Sequence, residues 1–189
     1  HRNLQSILSS GIPVYGVTTG FGKLSHVKIN PSEQRKLQLN LVRSHAAGVG
    51  QPVDKGIART MMILKLLTFV KGYSGVRLSV VKQIINFLNE DIVPVIPEKG
   101  SVGASGDLAQ LAHMGLALIG EGDVFYKGKQ TESKLIMNRL GIAPLELEPK
   151  EGISLINGTH YSTALAIAIL NISQNLLQCA DIIGALSVE

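Results

Sequence analysis

The sequence predicts a mainly α fold with one small β-hairpin, and three observations carry that expectation. Apolar residues recur at helical spacing in several long segments, and residues that start and stop helices bracket most of them. The one clear hairpin signal is a Lys127-Gly128 turn inside the stretch 123–129.

Taken in order, residues 11–23 are rich in Gly and Thr and are expected to form a loop. Asn30, Pro31 and Glu33 then supply an N-cap, a proline at the first helical position and the acid of a capping box. That helix should run to about Ala47 and stop at Gly48. Asp54 opens a second helix through Val70, apolar on most faces and ending near Gly72. A third covers 77–91, with Val81, Ile84, Ile85 and Leu88 on one side. The segment 93–97 holds two prolines in five residues, which argues against a central strand. A glycine-rich loop follows, and Asp107 is placed to cap a helix over 108–119 whose Leu108, Leu111, Ala112 and Gly115 share a face. After the hairpin, 131–140 is a short helix closed by Gly141, and a long helix runs from about Gly158 to the end.

Composition narrows the function. The 189 residues suffice for one domain with a sizeable core. Net charge is +4, but Lys and Arg are scattered, and only four Tyr, four Phe and no Trp are present, so no basic groove with stacking aromatics is expected and nucleic acid is excluded as a partner. A single cysteine, Cys179, allows no intramolecular disulfide and fits a reducing, cytoplasmic compartment; its apolar helical setting suggests a core position. Five scattered His and one Cys give no metal-ligand spacing. Residues 152–180 contain no Lys, Arg, Asp or Glu, yet Asn157, Asn171, Gln174, Asn175 and Gln178 interrupt the run. This segment is expected to be a helix buried in a bundle or subunit interface rather than a membrane span. Position 1 is His rather than Met, and the last helix has no stop signal at Glu189, so a longer parent chain is expected.

The loop Gly103-Ala104-Ser105-Gly106-Asp107 carries the most chemistry. If Gly106 N attacks the Ala104 carbonyl carbon and two waters leave, the backbone closes into 4-methylidene-imidazol-5-one, an electrophile that no encoded side chain supplies. Gly106 has no Cβ to block that approach, Ala104 is small, and Ser105 carries the departing hydroxyl. A phosphate-binding reading of Gly100, Gly103 and Gly106 is weaker, because no buried strand precedes them and no GK[ST] follows.

Four blocks in order resemble the aromatic amino-acid ammonia-lyase family: VYGVTTGFG (14–22), LVRSHAAGVG (41–50), GSVGASGDLAQLAH (100–113) and EGISLINGTH (151–160). The resemblance covers essentially the whole chain. It implies the N-terminal part of a helical-bundle enzyme, a single partial catalytic domain truncated at both ends, whose active sites are shared between subunits of a homotetramer. Tyr15 would lie over the ring made from Ala104, Ser105 and Gly106 and handle a proton. A phenol, with a free pKa of about 10, does so only when charge or hydrogen bonds favour its anion. Gly22 would bring its backbone to the substrate, and Asn157 would contact the ring and the substrate's amino-acid portion. Ser44 and His45 would line the side-chain pocket, and a Ser-His pair resembles the histidine-specific branch, which makes urocanate. Two positions depart from the pattern: His160 stands where that branch usually has Gln, and Gln110 where the signature usually has Pro. A tyrosine or phenylalanine lyase, a 2,3-aminomutase, or an inactive piece without the ring are the rival expectations. By itself the piece is expected to be inactive and to keep its tripeptide open, since closure needs compression by surrounding structure.

Overall fold

In the computed structural model, which describes residues 2–102 and 106–189, helices build most of the chain, and the described helices and strands are as follows. Helix α1 (Arg2–Ser10) is absent from the sequence reading, although Leu4, Ile7 and Leu8 repeat at helical spacing; Leu4 is buried. The loop after it folds on a buried threonine: Thr18 Oγ1 donates to Ile12 O at 3.0 Å and accepts from Val14 N at 2.7 Å. Asn30 makes no side-chain cap, and Pro31–Glu33 forms a 3₁₀ turn leading into α2 (Gln34–His45). The expected capping box is therefore replaced by a backbone turn, Glu33 N to Asn30 O at 2.9 Å.

Helix α3 (Lys55–Val70) starts as expected, with Asp54 Oδ1 accepting from Gly56 N at 2.7 Å. Helix α4 (Leu78–Asn89) buries Val80, Gln83, Ile84 and Phe87, so its core stripe is rotated from the expected one; Val81 and Leu88 pack at its margin and Ile85 faces outward. Phe87 has the largest ring on the helix, and its burial decides the rotation.

Strand content exceeds the single hairpin expected. β1 (Val49–Pro52) pairs antiparallel with β3 (Pro97–Lys99), and β2 (Val93–Pro94) adds to the hairpin of β4 (Asp123–Tyr126) and β5 (Lys129–Glu132) in the order β2-β4-β5. The proline-bearing β2 lies at the sheet edge, as the missing N–H requires. Helices α5 (Leu108–Leu118), α6 (Ser133–Leu140), α7 (Glu151–Ile156) and α8 (His160–Val188) complete the chain. One apolar cluster centred on Met61, Met62, Ile84, Phe87, Leu111, Met114, Leu118 and Leu155 ties α2, α3, α4, α5 and α7 together. Transferring such side chains from water stabilises the fold by roughly 1.5–3 kcal/mol each.

Two expectations are corrected: burial of α8 within this chain's own bundle, and a core position for Cys179. Only its first turns are buried, through His160, Tyr161 and Ala164, and every residue from Asn171 onward is exposed. Cys179 is an exposed free thiol rather than a core residue. The helix runs past the end of the cluster that holds its first turns, so its apolar residues, Leu176, Leu177, Ile182 and Ile183 among them, face outward in this chain. By length and composition alone 151–188 is apolar enough to cross a membrane, but Asn157 breaks it into two helices.

Candidate active site

The break between α7 and α8 organises the site. Helix α7 is short, with a side chain of α2 on its first turn and an extended residue at its end. Gln38 of α2 accepts from Ile153 N at 3.1 Å, and Asn157 terminates the helix in an extended conformation. Gly158 follows at φ +118°, a conformation that a side chain rarely adopts. Asn157 therefore does not cap α8, and Thr159 at the capping position makes no side-chain cap bond.

The cap comes from the glycine-rich loop. Asp107, fully buried, accepts from Ser162 N at 2.8 Å and Ser162 Oγ at 2.7 Å, and its own N–H donates to Gly158 O at 2.8 Å. Ser101 Oγ donates to the same carboxylate at 3.0 Å. The expected cap on α5 is thus redirected to α8: Asp107 makes no side-chain bond to its own helix. A carboxylate at a helix N-terminus contributes up to about 2 kcal/mol when partly buried. Its structural effect is to pin the C-terminal flank of the loop to the Asn157-Gly158 turn. An ideal Cβ on Gly106 would sit 3.6 Å from Asn157 Oδ1, so the two residues are neighbours. Ala104 and Ser105 lie outside the described residues.

A cleft of about 750 Å³ opens beside this turn, lined among others by Tyr15, Lys65, Thr68, Lys150, Asn157 and His160. Tyr15 stacks edge-on against Phe21, centroids 6.0 Å apart, and its hydroxyl oxygen accepts from Gly22 N at 3.2 Å. The chain thus brings Tyr15, Gly22, Gly106 and Asn157 to one region. Ser44 and His45 do not line this cleft. They close α2, where Ser44 Oγ donates to Leu41 O at 3.1 Å and His45 Nδ1 lies 2.9 Å from the same oxygen. A carbonyl can only accept, so Nδ1 carries a proton.

Three polar residues at the cleft went unread in the sequence. Lys65 is 1 % exposed, its Nζ donates to Asn157 O at 2.7 Å, and burial lowers its pKa to about 7. The signal was present: a lone charge on the stripe Ala58, Met61, Met62, Phe69 that α3 buries. Thr68 Oγ1 donates to Leu64 O at 3.0 Å, so it must accept from His160 Nε2, also at 3.0 Å. This places the His160 proton on Nε2 and leaves Nδ1 buried without a partner among the described residues. The third is Lys150, whose ammonium donates to Ser74 O. Gln110, where proline was expected, is buried with Nε2 3.5 Å from Pro97 O, bridging α5 to β3.

The pKa of His160 is lowered to about 4, first by burial and then by the Lys65 charge, with Asp107 opposing. An unfolded histidine titrates near 6.5. Between about pH 6.5 and pH 4 the unfolded chain therefore binds more protons, and this group's contribution to stability is lost as pH falls through that window. His160→Gln should flatten the acid limb of stability by about 1–2 kcal/mol. Thermal unfolding at pH 7 and at pH 4.5 checks this; equal losses in variant and parent would contradict it.

The model of the family described as aromatic amino acid lyase matches residues 1–189. The chain belongs to the aromatic amino acid lyase family. It is 48% identical over 166 residues to a histidine ammonia-lyase from Staphylococcus saprophyticus, covering 88% of this chain and 33% of that protein. Among solved structures it resembles a tyrosine aminomutase from Streptomyces globisporus, with TM-score 0.81 and 43% identity over 87% of this chain and 31% of that one. It also resembles histidine ammonia-lyase from Trypanosoma cruzi, with TM-score 0.79 and 37% identity over 87% of this chain and 31% of that one. The chain spans about a third of the length of these lyase-family relatives.

Proposed function

We propose that these residues are the N-terminal part of an enzyme that eliminates ammonia from L-histidine to give urocanate. The observation that carries the proposal is that Asn157, which lines the cleft with Tyr15 142 positions away in the chain, also neighbours Gly106, 51 positions away: Asn157 Oδ1 sits 3.6 Å from the position a Gly106 Cβ would take. Gly106 is the last residue of the Ala104-Ser105-Gly106 tripeptide, and its contact with the Asn157 amide fits 4-methylidene-imidazol-5-one as the cofactor. Once closed, that ring supplies an electron-poor methylidene carbon, which makes loss of ammonia feasible from a substrate with a weakly acidic β-proton.

The chain's own residues would do the rest. Tyr15, its oxygen already accepting from Gly22 N, would move the β-proton. Asn157, able to donate and accept, would hold the amino-acid portion of the substrate. Lys65 and Lys150 line the cleft and, when protonated, would favour a substrate carboxylate there. Ser44 and His45 lie outside this cleft, so their role beside the substrate imidazole would be played at a site completed by another subunit. A cytoplasmic homotetramer suits the exposed thiol and the uncovered apolar face of α8. A tyrosine or phenylalanine lyase or an aminomutase is the second reading, favoured by 43% identity to the tyrosine aminomutase.

Turnover by the whole enzyme separates them. L-Histidine should be consumed at least about 100-fold more efficiently than L-tyrosine or L-phenylalanine, a difference of about 2.7 kcal/mol in transition-state binding. A preference for either other amino acid, or an aminated β-product, refutes the histidine assignment.

A further inference from the structure

The Asn157-Gly158 turn is clamped from three sides, two of them by residues distant in sequence. Lys65 Nζ on α3 donates to the Asn157 carbonyl oxygen at 2.7 Å. Asp107 N donates to the Gly158 carbonyl oxygen at 2.8 Å. The His160 ring packs on Gly158 so closely that a Cβ there would come within 2.4 Å of Cε1. Without such a clamp a glycine next to Asn157 leaves the direction of the Asn157 amide open, because glycine adopts many backbone conformations.

Lys65 is the costly member. It is 1 % exposed, the aromatic face of Phe69 lies 5.3 Å from its Nζ, and none of its hydrogen-bond partners among the described residues is a carboxylate. A buried ammonium held by a carbonyl and a ring opposes folding, and an apolar side chain of similar length would fit α3 better. A local violation of this kind, with its charged tip on the backbone of a cleft residue, is what a functional site leaves in an otherwise consistent helix.

We propose that Lys65 is a positioning residue: by fixing the Asn157 carbonyl it aims the Asn157 amide toward Gly106 and the substrate's amino-acid portion. The proposal rests on the reading of Asn157 as a substrate contact. Lys65 Nζ has three N–H donors and spends one on Asn157, so it holds the turn without competing for the Asn157 side chain. Thr68, one turn further along α3, accepts from His160 Nε2, so α3 grips both ends of the Asn157–His160 corner.

The test uses the whole enzyme and whichever of L-histidine, L-tyrosine and L-phenylalanine it turns over fastest. Lys65→Met should lower kcat/KM about tenfold while Tm stays level or rises. Lys65→Arg, which keeps the charge and the donors, should recover most of the loss. In an Asn157→Ala background Lys65→Met should have little further effect, because the amide it aims is gone. Hydrogen exchange in the peptide 151–160 reads the clamp without turnover, and should quicken about tenfold in Lys65→Met there and not elsewhere. Full activity in Lys65→Met beside an impaired Asn157→Ala overturns the proposal. So does a loss that follows a fall in Tm and is equal in both backgrounds. If Asn157→Ala is itself unimpaired, the reading of Asn157 fails instead, and unchanged exchange at 151–160 overturns the clamp independently.

Discussion

Glu151→Ala should destabilise the chain by about 3–5 kcal/mol, the range for breaking a buried ion pair from one side. Glu151 is 1 % exposed and accepts four hydrogen bonds: from Arg77 N and Nε at 2.9 Å each, from Arg77 Nη2 at 2.7 Å, and from Glu148 N at 2.9 Å. Arg77 is correspondingly held further above its usual pKa by the Glu151 hydrogen bonds. Removing the carboxylate strands two backbone N–H groups and leaves a partly buried guanidinium with the weaker pairing to Glu148 and the Glu146 carbonyl. The pair joins the start of α4 to the start of α7, so the damage should reach the Asn157 turn at the other end of α7. Urea unfolding measures the loss; a change below 1 kcal/mol would mean that the pair is not formed.

Gly152→Ala should cost about 2–3 kcal/mol by overpacking. A Cβ at position 152 would lie 2.5 Å from the Gln38 carbonyl oxygen and 3.0 Å from Gln38 C and Cα. These are backbone atoms of α2, so relief requires one helix to move from the other. Such a shift also separates the Gln38 side chain from Ile153 N, which it caps. Gly184→Ala is the matched control: nothing lies within 4 Å of its Cβ position on exposed α8, and the usual helix preference should make that change stabilising by up to about 1 kcal/mol. Opposite signs for the two alanines are expected in the same unfolding assay; equal effects would contradict the close α2–α7 approach.

Local chemistry was legible in the sequence and non-local satisfaction was not. The Asp54 cap joins residues two positions apart, and the Lys127-Gly128 turn needs only its own two residues, so both were readable. Asp107 shows the limit. The same residue type that caps the following helix instead reaches Ser162, 55 positions away, because α8 begins beside the loop in space. Strands β1 and β3 were missed because four and three residues carry no period, and their pairing is set by where α2 and α5 bring them. The outward stripe of α8 carries the same apolar composition as a core helix, and sequence pattern does not say which chain covers it. Tyr15, Gly22, Gly106 and Asn157 were proposed as site residues through motif resemblance, and the chain folds them to one region. Ser44 and His45 close α2 outside that cleft, while Lys65 and Thr68 lay hidden in an apolar helix.

The whole enzyme, as proposed, builds an electrophile from its own Ala104-Ser105-Gly106 backbone and uses it to release ammonia. The most direct measurement is the mass of the peptide 100–113 released from the whole enzyme. A deficit of two waters located to Ala104-Ser105-Gly106 is expected, and it should disappear together with ammonia release in Ser105→Ala. An unmodified peptide mass in an enzyme that still releases ammonia from its amino acid would contradict it.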